Sequence, residues 1–141
     1  NQDNIFFEMK EKNFTEGGAI STFGEDYDYT GNKIVEINNK YKIFGTSINY
    51  LLKNEILKVP NYIKLDVDGI EHLILEGANK FLSHKDLKGI SVELNEKFSS
   101  QYQESTHLLK SCGFSLISHD EISDKKSEKK IKKRNYNFKK L

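Results

Sequence analysis

Two aspartates, Asp66 and Asp68, stand two positions apart where an apolar run stops, in the stretch NYIKLDVDGIE from Asn61 to Glu71. Two carboxylates held close together repel unless a proton, a cation or a hydrogen-bond donor comes between them. The pair therefore suits general-base work or the binding of a cation. In extended backbone, residues two apart point to the same side, which would bring both to one site. The competing reading makes Asp68-Gly69 an ordinary turn, with Asp68 capping the helix that follows. Glu71 falls in the first turn of that helix, where the helix dipole favours an acid on structural grounds alone. A fourth carboxylate, Glu93, sits inside the alternation of Ile90, Val92 and Leu94. In a central strand it is either near the site or covered by a partner, and neighbouring parallel strands end at the same sheet edge. Asn95 and Glu96 fall at that edge as loop residues. The histidines at 72, 84, 107 and 119 show no ligand spacing such as HxxxH, and no metal site is expected. His72 is singled out because it follows Glu71 directly.

The elements that must hold these groups are legible in the periodicity. Tyr62, Ile63 and Leu65 form a short strand, and beyond Gly69 the residues Ile70, Leu73, Ile74, Ala78, Phe81 and Leu82 recur at helical spacing. Ligands of open parallel sheets sit outside the carboxyl ends of the strands, which is where the aspartates fall. Upstream, Ile5 to Phe7 is a candidate strand. Asn13 to Gly31 is expected to be a long functional loop. Lys33 to Ile37 and Lys40 to Phe44 read as two strands around an Asn38-Asn39 turn. Thr46 or Ser47 then caps a helix with Ile48, Leu51, Leu52 and Ile56 on one face. Downstream, the strand around Ile90 to Leu94 precedes a helix capped by Ser99 or Ser100. That helix carries Tyr102, Leu108, Leu109 and Cys112 and stops at Gly113. Phe114 to Ser118 and Asn135 to Phe138 are the remaining strands. Strands alternating with helices predict an α/β fold with a mostly parallel sheet. The strand at residues 62–65 is expected to be central, and the last strand, after a long non-helical connection, to pair antiparallel.

A chain of 141 residues supports one domain with a real core. No apolar run approaches the ~20 residues of a membrane span. The single cysteine, Cys112, reads as a core residue and suits a reducing compartment, so the cytoplasm is expected. Lys125 to Lys140 holds nine basic residues and one acid, Glu128, while the whole chain carries only +1. The stretch from 120 to 134 is read as a basic, solvated loop before the last strand. A nucleic-acid contact is the less favoured reading, since no aromatic platform is interleaved before Tyr136. The chain opens on Asn1 in mid-pattern, as a fragment would.

IKLDVDGIEHLILEGANKFL (Ile63 to Leu82) resembles the core signature of the FkbM family of S-adenosylmethionine-dependent methyltransferases. TSINYLL is similar to the family's T-[IL]-D-x-L-L segment, with Asn49 where the family has Asp. SVELNE, the later Gly113-Phe114, GGAISTFGE and the closing NYNF fit as well, so the resemblance covers nearly the whole chain. It implies a Rossmann-like methyltransferase sheet, S-adenosyl-L-methionine as cofactor, and a hydroxyl of a sugar or small metabolite as acceptor. It also implies that Asp66 and Asp68 line the transfer site with Glu71 and Glu93 in support, and that Asp66 and Ser21 touch the cofactor. The family's glycine-rich first turn, and the strand ending in an acid for the ribose, have no counterpart in this sequence. The chain therefore resembles an N-terminally truncated domain, with the remaining cofactor contacts expected upstream of Asn1.

Two rival readings remain. A hydrophobic strand ending in DxDG also resembles the first motif of Mg²⁺-dependent haloacid-dehalogenase-type phosphatases, although Ile70 stands where that motif has Thr. The other rival is a methyltransferase-like module without catalysis.

Overall fold

Gly89–Asn95, β5 in chain order, is the most deeply buried strand, its polar residues Glu93 and Asn95 included, and the rest of the fold is built around it. The computed structural model of the chain describes residues 5–11, 21–121 and 133–140. Among these, β4 (Tyr62–Leu65), β5, β6 (Phe114–Glu121) and β7 (Lys133–Lys140) form one sheet in the order β4-β5-β7-β6. Ile63 and Leu65 pair with Ile90 and Val92, which pair in turn with Phe138 and Tyr136. That register puts these side chains on one face, beneath α2 (Glu71–Glu76) and α4 (Ser99–Ser111). Leu75, Leu82 and Leu109 close the core from the helix side, each almost fully buried. A leucine so placed stabilises the fold by roughly 1.5–3 kcal/mol relative to an exposed one.

Only the β4–β5 pair is parallel, so the expected mostly parallel sheet is not what the described strands form. The physical reason lies in β7. It enters between β5 and β6 and runs antiparallel to both, so the two strands joined by α4 share a direction without being neighbours. The last strand is antiparallel, as its non-helical connection predicts. β4, expected in the centre, pairs only with β5 and stands at the edge of the described sheet.

A second, antiparallel sheet, β2-β1-β3, comes from β1 (Ile5–Glu11), β2 (Ser21–Phe23) and β3 (Asn39–Gly45). β3 is the expected strand near Lys40, but it pairs with β1 rather than with residues 33–37, which form no strand. β1 offers seven partners in register, from Ile5 opposite Gly45 to Glu11 opposite Asn39. The expected loop at 13–31 contains β2, and its residues 13–20 lie outside the described residues. So does most of the basic segment, although its ends belong to strands: Asp120 and Glu121 to β6, Lys133 and Arg134 to β7.

Ser47 caps α1 (Ile48–Lys53), its Oγ accepting from the Tyr50 amide at 3.0 Å. Ile56 lies beyond that helix and is exposed. α2 and the short α3 (Asn79–Leu82) meet at Gly77-Ala78. Asn49 ties this corner together. Its amide donates to the Gly77 carbonyl at 2.8 Å, its Nδ2 to Asn79 Oδ1 at 3.0 Å, and its Oδ1 accepts from the Lys80 amide at 3.2 Å. Gly113, at φ +86°, ends α4 in the left-handed conformation glycine favours.

Candidate active site

β4 stops at Leu65, and the chain turns through Asp66, Val67, Asp68 and Gly69 before α2 begins. Asp68 has φ +43° and Gly69 φ +107°, so the strand alternation that would align Asp66 with Asp68 does not continue through the turn. A Cβ on Gly69 would lie 2.8 Å from Tyr29 Cα and 3.2 Å from the Asp28 carbonyl oxygen. The turn is therefore seated backbone to backbone on a second turn, Asp28 to Asn32. That second turn is organised by the Asp28 carboxylate, whose Oδ1 accepts from the Thr30 amide (2.8 Å), the Thr30 hydroxyl (2.5 Å) and the Asn32 amide (3.1 Å).

Beneath the Asp66–Gly69 turn lies Glu71, fully buried. Its Oε1 accepts from the Val67 amide at 3.0 Å; its Oε2 accepts from the Gly69 amide at 3.1 Å and from Gln101 Nε2. The carboxylate closes a short loop back over the start of α2, whose N-cap position, Ile70, makes no side-chain hydrogen bond. Gln101 extends the network, accepting from the Asn95 amide at the end of β5 through Oε1 at 2.9 Å. Asn95 in turn donates from Nδ2 to the Tyr29 carbonyl at 3.3 Å and accepts from the Lys97 amide at 3.0 Å. Three segments, the ends of β4 and β5 and the Asp28–Asn32 turn, are thus locked together by a buried polar relay. Each of its bonds is stronger away from water than it would be in it.

Asp66, by contrast, is exposed and carries an ion pair with Lys64 at 3.0 Å. An exposed pair of this kind holds little energy and leaves the carboxylate available. Glu93 is buried on β5, one register step beyond the last β4–β5 pair, Leu65 and Val92, and level with Asp66. Ser21 shares a cavity of about 10 Å³ with Thr22, Asp28, Tyr29 and Asp68. That is roughly the space of one water molecule. The buried Thr22 hydroxyl that faces the same region has no hydrogen-bond partner among the described residues. Asp66 and Asp68 thus lie in the turn after β4, Ser21 shares a cavity with Asp68, Glu93 sits on β5 opposite Asn135 of β7, and Glu71 lies underneath as the group that holds the turn.

Gln101, Ser105, Tyr27 and Phe98 join the residues that the sequence singles out. Gln101, Ser105 and Leu109 form the buried stripe of α4 at i, i+4 and i+8, and its first two members are polar. A polar residue in phase with a buried leucine was the available signal. Tyr27, His72 and Phe98 form an aromatic cluster: Tyr27 and Phe98 rings lie 5.2 Å apart edge to face, and His72 and Phe98 rings 5.8 Å. His72 is buried, with Nε2 3.5 Å from the Tyr27 hydroxyl, the outer limit of a hydrogen bond. Burial, then the nearby charges of Glu25, Glu104 and Glu71, push the Tyr27 phenol up to about 12. Burial and a 2.5 Å hydrogen bond donated to Glu96 likewise raise Tyr136, and that bond pins Glu96, a loop residue after β5 as expected, against β7. Cys112 is free and partly buried against the core. Among the described residues no three His, Cys, Asp or Glu side chains are grouped as metal ligands, and no helix is long and apolar enough to cross a membrane.

The family model described as the methyltransferase FkbM domain matches residues 6–116. No curated protein and no solved structure matches the chain.

Proposed function

The chain belongs to the FkbM methyltransferase family, and from that premise we propose that it serves the transfer of a methyl group from S-adenosyl-L-methionine to a hydroxyl of a sugar or small metabolite. The observation that carries this reading is the division of labour between two carboxylates. Glu71 is buried and gives its oxygens to two turn amides and Gln101, while Asp66, on the turn so held, faces solvent. An enzyme that transfers a methyl group gains much of its rate from holding the acceptor in line, which requires a rigid platform. Asp66 is the group on that platform able to orient an acceptor hydroxyl and take its proton, a contribution of ~10²–10⁴-fold for a well-placed general base.

When bound, the cofactor supplies an electrophilic methyl on a positively charged sulfur. Carboxylates at a strand end suit such a cation, so Asp66 and Asp68 fit that part of it, with Ser21 as a further polar contact. Among the described elements no glycine-rich strand-turn-helix offers a cradle for the rest. Glu93, level with Asp66, supports the acidic edge. A reducing compartment such as the cytoplasm suits the unpaired Cys112. The phosphatase reading shares only the DxDG order, whereas the family match runs through residues 6–116.

The test uses the protein as its gene encodes it, with labelled cofactor and a panel of hydroxylated acceptors. Cofactor binding by calorimetry is expected, together with a fall of about 10² or more in kcat on Asp66→Ala. Absence of cofactor binding would favour a non-catalytic module. Full activity in Asp66→Asn would remove the proposed base.

A further inference from the structure

α2 has two working faces, and the second faces a cavity. Ile70, Leu73 and Ile74, at i, i+3 and i+4, look across a space of about 210 Å³ at Phe7 and Phe23 of the three-stranded sheet. The two phenylalanine rings lie 4.8 Å apart and are backed by glycine rather than by side chains. A Cβ on Gly45 would come within 2.5 Å of the Phe23 ring and 2.8 Å of the Phe7 ring. One carboxylate, that of Glu25, lines the same space. It has no hydrogen-bond or ion-pair partner among the described residues, although Lys10 reaches the Glu25 backbone carbonyl at 3.2 Å.

We propose that this cavity binds a single aromatic ring carrying a hydroxyl, the ring packed between the phenylalanines and α2 and the hydroxyl donating to Glu25. Size and lining decide the class. A dry cavity of about 150 Å³ lined by aliphatic and aromatic side chains accepts benzene, so about 210 Å³ accommodates one ring with one or two small substituents. Six of the ten lining residues are Phe, Ile or Leu, and Glu25, Thr46 and Ser47 are the polar side chains among them, too few to partner the several hydroxyls of a sugar ring, whose burial would be costly. A phenol presents one donor, and the cavity offers one charged acceptor, the arrangement that makes a strong hydrogen bond. The walls are fixed from outside, since the Asn49 amide bond to the Gly77 carbonyl ties the α1 and α2 sides together. Ile70 belongs to both the cavity and the edge of the Asp66–Gly69 turn, so a ring held here lies beside the proposed transfer platform. Binding does not depend on methyl transfer; only the identification of the bound phenol as the acceptor rests on that reading.

The experiment measures direct binding to the full chain without cofactor, using 4-methylphenol, toluene and methyl glucoside as probes. Nuclear Overhauser contacts from the 4-methylphenol methyl to the Phe7 and Phe23 rings are expected in the unmodified protein. Ile74→Trp, which fills the space, should abolish binding of both aromatic probes, and Glu25→Gln should weaken 4-methylphenol about 10-fold while leaving toluene unchanged. Contacts confined to other rings would overturn the proposal, and so would tighter binding of methyl glucoside than of 4-methylphenol. An equal effect of Glu25→Gln on both aromatic probes would overturn the role of the carboxylate. Because the contacts are read in the unmodified chain, a poorly folded Ile74→Trp does not decide the matter. Bound phenol that is never methylated would count against the transfer reading and leave the binding site standing.

Discussion

The two sides of α2 answer different demands. On one side Glu71, His72 and Leu75 are buried against α4 and β5, and polar atoms there are held by a relay running through Gln101 to Asn95. On the other side Ile70, Leu73 and Ile74 are only half-buried and border open space before the second sheet. One helix of six residues thus carries a rigid face and an adaptable face. Rigidity falls where the chain must hold a strained turn, and space falls where a guest can enter. Precision and accommodation are separated by about half a helical turn.

The comparison breaks most visibly at Glu71. Glu71→Leu keeps the volume close but leaves two turn amides and the Gln101 side chain without their acceptor. The expected loss is roughly 3–5 kcal/mol, from several buried donors stranded at once. Urea unfolding measures it, and a loss below about 1 kcal/mol would mean that water takes over the bonds. Gly69→Ala comes next. The backbone at φ +107° must meet the Tyr29 Cα, which belongs to a turn braced by its own aspartate. About 3 kcal/mol is expected, the upper end for a single strained residue, with the Asp28–Asn32 turn losing amide-exchange protection in step.

Leu75 and Ile74 offer a cleaner contrast, because they are adjacent and similar in size. Leu75→Ala removes a side chain packed on every side and should cost about 2–5 kcal/mol. Ile74→Ala enlarges a space that already exists, so it should cost about 2 kcal/mol less than its neighbour. Equal losses in thermal or urea unfolding would show that the second face is packed as tightly as the first.

This asymmetry explains what could be read in the sequence. The stripe Ile70, Leu73, Ile74 was visible as helical periodicity, and its helix is where expected, but periodicity does not say which apolar stripe meets the core. The fully buried face of α2 contains a glutamate and a histidine, and composition gives no hint that an acid is wanted inside. Asp66 and Asp68 stand out in the sequence because a strand end betrays itself by a change of period, and Glu93 because it is an acid inside an apolar alternation. Gln101 was missed because its role exists only once β5, α4 and the turn after β4 are brought together. Sheet order was missed for a similar reason: the directions of β4, β5 and β6 follow from the α crossovers, whereas the insertion of β7 between β5 and β6 is a tertiary choice.

The smallest predicted effect lies where the two sides meet. Tyr27 touches His72 on the rigid side and senses Glu25 on the cavity side, with burial the leading cause of its raised pKa. Its phenol ionises near 10 when unfolded and near 12 when folded, so between those values the folded chain binds the extra proton. Stability contributed by the neutral phenol is therefore complete below pH 10 and is lost as pH rises toward 12. Tyr27→Phe should flatten this alkaline decline in melting temperature while changing little at neutral pH, because a 3.5 Å contact with His72 contributes weakly. Glu25→Gln removes only the second cause, so the phenolate absorbance of Tyr27 should then rise at slightly lower pH, still above 10. A return fully to 10 would mean that charge, not burial, governs the boundary, and that the rigid side is wetter than its hydrogen bonds imply.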